Sequence, residues 1–234
     1  MSRKLDRDLN VARSWTVSVL RLGAGWSVRS SLGPRPAQPL ELYDFERCPH
    51  CRVVREALSE LDLDVAIYPC PKGGTRFRPQ LAALAGKERV PFLVDPNTGD
   101  RLLEASAILA HLARHYGGGA ALSVPIKLRP LSVIASLSSG AHGKHVRPSK
   151  PAPAQPLELW SFEISPYCRL VRERLCELEL PYLLHNVAKG SAKREAFVAR
   201  SGKMMVPYLV DPNTGIAMHE SADILAYLDA TYGA

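Results

Sequence analysis

Cys48 and Cys51, in the run Cys48-Pro49-His50-Cys51, are the residues of this chain best suited to chemistry. A thiol is a weak nucleophile until it ionises, and a free cysteine does so near pH ~8.5. Apolar residues at Val53, Val54, Ala57, Leu58 and Leu61 recur at helical spacing, and Pro49 suits the first turn of that helix. Cys48 therefore falls at a helix N-terminus, where unsatisfied backbone N–H groups and the positive end of the dipole favour a thiolate. Arg47, His50 and Arg52 add positive charge nearby. Cys51, one turn on, is within reach of a mixed disulfide formed at its neighbour. A zinc half-site is the other reading of two such cysteines, but no second C-x-x-C or His pair completes four ligands, so no metal is expected.

The elements that position these thiols occur twice. Pro39-Leu40-Glu41-Leu42 returns as Pro156-Leu157-Glu158-Leu159, and Cys51-Arg52 returns as Cys168-Arg169. The heptapeptide Leu93-Val94-Asp95-Pro96-Asn97-Thr98-Gly99 returns letter for letter at Leu209 to Gly215. Nearly half the positions of 39–117 are identical in the second copy, which is gene duplication rather than chance. Similarity extends upstream, from Pro34-x-Pro36-Ala37-Gln38 to Pro151-x-Pro153-Ala154-Gln155. The chain divides into an N-terminal helical extension (1–38), a first domain (39–117), a linker with a helix at Val124 to Leu137 (118–155) and a second domain (156–234). That helix has an upstream partner at 9–22.

Within one unit, Leu40–Phe45 alternates as a short strand and is followed by the thiol-bearing helix. Asp64–Tyr68 reads as a second strand and Phe77–Leu84 as a second helix. Val90 to Val94 and Arg101 to Leu103 form a hairpin around Asp-Pro-Asn-Thr-Gly, and Glu104 to Tyr116 closes the unit as an amphipathic helix stopped by Gly117. The fold class is α/β, with each unit ordered β-α-β-α-β-β-α. This arrangement, with C-P-x-C after the first strand, Val-Pro before the hairpin and a Glu opening the last helix, resembles the N-terminal, thioredoxin-like domain of glutathione transferases. Through Cys48-Pro49-His50-Cys51 it also resembles a glutaredoxin. The likeness covers about two-thirds of the chain and does not extend to the all-helical second domain of transferases.

The resemblance implies roles. Cys48 becomes the attacking thiol and Cys51 the resolving one. Val90-Pro91 and Val206-Pro207 stand where this fold carries a cis proline that turns the Val backbone toward a bound peptide. Glu104 with Ser106, and Glu220 with Ser221, stand where a Glu-Ser pair holds the γ-glutamyl end of glutathione at a helix N-terminus; the first copy departs by having Ala105 in the Ser place. N-terminal capping is the plainer reading of Glu104. Ser165 replaces the first cysteine of the second copy, in Ser165-Pro166-Tyr167-Cys168, and rules out a dithiol cycle there. Either Ser165 stabilises a glutathione thiolate, as in serine-type transferases, or the second domain is scaffold. Lys72-Gly73-Gly74 and Lys189-Gly190-Ser191 are loop candidates for a glutathione carboxylate. Cys70 is a candidate third redox thiol, and Cys176 reads as core-facing.

Composition narrows the remaining classes. The net charge of +7 over 234 residues suits an anionic ligand such as glutathione, and no basic stripe interleaved with aromatics argues for nucleic acid. No run of eighteen apolar residues argues for an integral membrane protein. Five cysteines without a secretory signal suit a reducing compartment, so a cytoplasmic location is expected. The leading expectation is a glutathione-dependent thiol–disulfide oxidoreductase with glutathione as co-substrate and disulfides as partners. The alternatives are a transferase acting on electrophiles, a glutathione-sensing or partner-binding scaffold and, from the glutaredoxin resemblance, a glutathione-ligated iron–sulfur site. A pseudo-twofold pairing of the repeats within one chain is compatible with the long connection.

Overall fold

The computed structural model describes residues 25–119 and 142–234. The helices expected at 9–22 and 124–137 lie outside them. The first repeat runs β1 (Leu40–Asp44), α1 (Pro49–Glu60), β2 (Val65–Pro69), α2 (Arg78–Ala85), β3 (Phe92–Asp95), β4 (Asp100–Leu103) and α3 (Ala105–Tyr116). The second runs β5 (Leu157–Ser161), α4 (Pro166–Glu177), β6 (Tyr182–Asn186), α5 (Arg194–Ser201), β7 (Tyr208–Asp211), β8 (Ile216–His219) and α6 (Ser221–Tyr232). The order β-α-β-α-β-β-α appears twice, as the sequence pattern indicates. Val90 and Pro91 precede β3 instead of opening it.

Alternation along the strands sorts side chains to two faces. Leu40 and Leu42 of β1, Val65 and Ile67 of β2 and Leu93 of β3 join Val54, Leu58, Ile108 and Leu112 from α1 and α3. The second repeat contributes its counterparts to the same continuous core. On the other face, Tyr43, Phe77, Leu81 and Phe92 cluster under α2, and Trp160, Phe197 and Tyr208 under α5.

The repeats share one eight-stranded sheet, ordered β4-β3-β1-β2-β6-β5-β7-β8. β1 and β2 are parallel, as are β5 and β6, and β2 meets β6 antiparallel with Ala66 opposite Leu183. Those two residues occupy equivalent places in the repeats, so a local twofold axis passes between them. The pairing satisfies an apolar strand edge that each half would otherwise leave open. The lead-ins cross over reciprocally. Val28 N–H donates to Lys189 O (2.8 Å) and Lys189 N–H to Trp26 O (3.0 Å), while Lys72 N–H donates to Lys144 O (2.8 Å) and Val146 N–H to Lys72 O (3.1 Å).

The repeated heptapeptide is a structural lock. Asp95 accepts from the Asn97 backbone (2.9 Å) and the Tyr116 hydroxyl (2.7 Å), and Asn97 clasps both backbone groups of Gln38. Gly99, at φ +79°, closes the turn in a left-handed conformation. Asp211, Asn213, Gln155 and Tyr232 repeat these bonds. The hairpin is thereby tied to both the lead-in and the last helix.

Candidate active site

Cys48 is the N-cap of α1, and its Sγ accepts the Cys51 backbone N–H at 3.4 Å. Pro49 follows at the position where a missing N–H leaves no bond unmade. The Cys48 pKa is lowered: a hydrogen bond from the Cys51 side chain contributes most, against burial, with the backbone N–H groups of Cys51 and His50 adding to it. Cys51 moves the opposite way, pushed well up by burial and then by its bond to Cys48. One thiol is prepared to ionise and its neighbour to hold a proton. Of the positive charges expected nearby, Arg52 is bonded to Glu56 through Nε at 3.0 Å.

Cys48 is 5% exposed. It opens onto a gap of about 10 Å³ lined by Glu46, Arg47, Pro49, Arg52 and, from the second repeat, Arg169. Such a space holds about one water. The other sequence candidates of the first repeat gather elsewhere. Val90, Pro91, Glu104, Ala105 and Ser106 line a cleft of about 370 Å³ together with His50 and Arg89. A neighbouring hollow of about 460 Å³, lined by Phe45, Lys72, Gly73, Gly74, Arg78 and Glu88, shares Arg89 and Val90 with it. Both are within the size range of small-molecule sites. His50 is the part of the Cys-Pro-His-Cys turn on the wall of the 370 Å³ cleft; Cys48 lines its own gap.

The Val90–Pro91 and Val206–Pro207 peptide bonds are both cis, the isomer that the resemblance implies. Glu104 and Glu220 sit in the left-handed region at φ +74° and +68°, although neither is glycine. Capping does not explain them, because neither side chain makes a cap hydrogen bond. Glu104 instead pairs with Arg89 across an exposed 3.0 Å bridge. Met205 occupies the equivalent place in the second repeat, and Glu220 is exposed there with Ser221 buried beside it. Backbone strain repeated at one position in both copies marks a constrained place in the fold.

Ser165 takes over the cap at α4, its Oγ accepting the Cys168 N–H at 3.3 Å, and it too is buried. Burial raises the pKa of Cys168. Cys70 corrects an expectation. Its side chain is fully buried in the cluster with Tyr43, Phe77 and Phe92, its Sγ bonds the Tyr68 carbonyl, and burial drives its pKa up, so it is a core residue and not a third redox thiol. Cys176 is buried, as its helical phase indicates.

Sequence reasoning missed the groups that hold the thiol turn. Arg55 bonds Glu163 of the other repeat through Nε at 3.2 Å, and Arg172 reciprocally bonds Glu46 at 3.1 Å, two residues before Cys48. Arg55 also meets Glu46 at 3.2 Å and pairs with Asp44; Arg172 also meets Glu163 at 3.1 Å. All five side chains are almost fully buried. Burial opposes the charge of each arginine, but the carboxylates override it and both are held firmly protonated. Asp44 is the exception: burial outweighs Arg55 and lifts its pKa to about 6. The signal was present in the sequence, since Arg55 falls on the same helical face as Cys51, Val54 and Leu58.

These features define the chain as a fused pair of thioredoxin-like units. The family model described as Glutathione S-transferase, N-terminal domain matches residues 42–120 and again 159–234, so the chain belongs to that family. Comparison with curated proteins and with solved structures returns no match. Among the described residues, no helix is long and apolar enough to cross a membrane.

Proposed function

We propose that the first repeat carries out glutathione-linked thiol–disulfide exchange, with Cys48 as nucleophile. The observation that supports this most is the Cys48–Cys51 pair itself, one thiol favoured as thiolate at a helix N-terminus and the other favoured as thiol. In the first step the Cys48 thiolate attacks the glutathionyl sulfur of a mixed disulfide. The Cys48–glutathione S–S bond forms as the old S–S bond breaks, and the substrate leaves as a thiolate that takes a proton from water. A second glutathione thiolate then releases oxidised glutathione and restores Cys48. Alternatively Cys51, once deprotonated, attacks Cys48 and releases reduced glutathione, leaving a Cys48–Cys51 disulfide for glutathione to reduce.

The 370 Å³ cleft is the proposed seat of the glutathione moiety. Arg89 and Glu104 offer one positive and one negative group to the zwitterionic γ-glutamyl end. Opening their exposed bridge costs only about 0–1 kcal/mol. The α3 N-terminus and Ser106 add donors for a carboxylate. Because the gap beside Cys48 is small, the Arg47 and Arg169 side chains must move apart before a disulfide enters.

The burial of Cys48 and the serine at 165 favour one other reading, a glutathione-binding scaffold without turnover. Reduction of a glutathione mixed disulfide, coupled to glutathione reductase, separates the two. Activity lost in Cys48→Ser and kept in Cys51→Ser supports a monothiol cycle, and loss in both supports a dithiol cycle. Glutathione binding by calorimetry with no turnover in the wild type sinks the oxidoreductase reading.

A further inference from the structure

The first repeat contains a second cluster with chemistry of its own, at the far end of α3 from the cleft. His111 and His115, one helical turn apart, have ring centroids 4.4 Å from each other. Asp100, at the start of β4, brings Oδ2 to 3.5 Å from His111 Nδ1. One ligand atom from each of the three residues lies within 4.8 Å of the others. In a tetrahedral zinc site with bonds of about 2.0–2.1 Å, neighbouring ligand atoms stand about 3.3 Å apart. The Asp100–His111 separation is close to that value, and the half-exposed His115 side chain needs only a small movement to match it.

The placement of the His111 ring supplies a further argument. Its Nε2 lies 2.7 Å from Oδ2 of Asp95, which is buried. The same Asp95 oxygen accepts the Tyr116 hydroxyl at 2.7 Å, which fixes the carboxylate behind the ring. His111 Nδ1 is thereby turned toward a second carboxylate oxygen, that of Asp100. A buried carboxylate orienting a histidine from behind, with its other nitrogen turned outward, is the outer-shell arrangement of a metal-binding imidazole. Asp100 is held in turn by the Thr98 hydroxyl at 2.8 Å.

We propose that Asp100, His111 and His115 bind a divalent transition metal ion of the zinc class, with a solvent molecule at the fourth position. Two histidines at i, i+4 on one helix face and a carboxylate from a neighbouring strand are a donor set of the borderline kind such ions take. The sequence reading expected no metal because it sought one at Cys48 and Cys51. The second repeat keeps the lock without the site. Tyr227 replaces His111 and bonds Asp211 through its hydroxyl at 2.6 Å, while Ile216 and Thr231 replace Asp100 and His115. A hydroxyl is enough to satisfy the buried aspartate, so the histidines of the first repeat exceed what the lock requires.

The test is zinc titration of tag-free protein by calorimetry, with cobalt absorption to report the donors. The wild type is expected to take one ion per chain at this site. His115→Ala and Asp100→Asn, on exposed or half-exposed side chains, are expected to fold as the wild type does by circular dichroism. Each should weaken binding by more than the roughly 10–100-fold that loss of an outer-shell partner costs. The cobalt form should show tetrahedral bands without a sulfur charge-transfer band. No binding in the wild type overturns the proposal. So does binding unchanged in His115→Ala, or a cobalt spectrum with sulfur ligation, which would move the ion to the thiols.

Discussion

Replacing Arg172 by Met removes the second repeat's hold on the loop that leads into Cys48. The guanidinium gives up contacts to Glu46 at 3.1 and 3.2 Å, to Glu163 at 3.1 Å and to the Ser161 hydroxyl at 3.1 Å. Met fills similar volume but supplies no charge. Asp44, Glu46 and Glu163 are then left facing Arg55, with Arg52 at 4.0 Å from Glu163. Removing one partner of a buried ion pair costs about 3–5 kcal/mol, because the remaining charge stays desolvated. For a chain of this size about 1 kcal/mol moves the melting temperature by about 2–4 °C, so a drop of ~6–20 °C is expected. Thermal and urea unfolding followed by circular dichroism measure it. Adding Glu46→Gln to Arg172→Met should cost less than the two single changes together, with a coupling of about 0.5–3 kcal/mol, since the second change removes a charge the first had stranded. A single-variant loss under about 1 kcal/mol, or strict additivity in the double variant, would refute the view that this network joins the repeats.

Two further expectations concern titration. Alkylation of Cys48 by a small uncharged reagent should follow a pH midpoint below the ~8.5 of a free thiol, and a bulky reagent should react far more slowly because of the narrow gap; a midpoint at or above that value contradicts the thiolate assignment. Asp44 has a folded-state pKa raised from 3.8 to about 6, so the native state binds more protons than the unfolded chain in that window and stability falls as pH rises through it. Asp44→Ser, the residue found at position 161 of the second repeat, should remove that downward slope, and an unchanged slope in the variant's urea midpoints between pH 4 and 6 would contradict it.

Much of the fold was legible because repetition and periodicity are local signals. The heptapeptide around Asp95, the apolar alternation of Leu40 and Leu42 and the proline after Cys48 each specify short-range geometry, and the structure realises them twice. What joins the halves was not legible, because it depends on partners more than a hundred residues apart. Val65 and Ile67 read as an ordinary strand, and nothing local marks their antiparallel neighbour as Tyr182 to Leu184. Arg55 and Arg172 were visible on buried helix faces, yet one carboxylate partner of each, Glu163 and Glu46, comes from the opposite repeat. The candidate site divides in the same way. Helix-start residues such as Cys48, Ser165 and Glu104 follow from motif spacing. The positive φ of Glu104, its bridge to Arg89 and the arrival of Arg169 beside Cys48 arise only from tertiary packing. His111 and His115 show their helical spacing in the sequence, but Asp100 reaches them through the hairpin turn.

Reaction of folded Cys51→Ser protein with oxidised glutathione, read by intact mass and peptide mapping, tests Cys48 as the reactive thiol. A single glutathionyl adduct on Cys48 is predicted, with the wild type passing on to a Cys48–Cys51 disulfide under the same conditions. No adduct on the folded protein, or an adduct confined to another cysteine, would contradict the assignment of Cys48 as the reactive thiol.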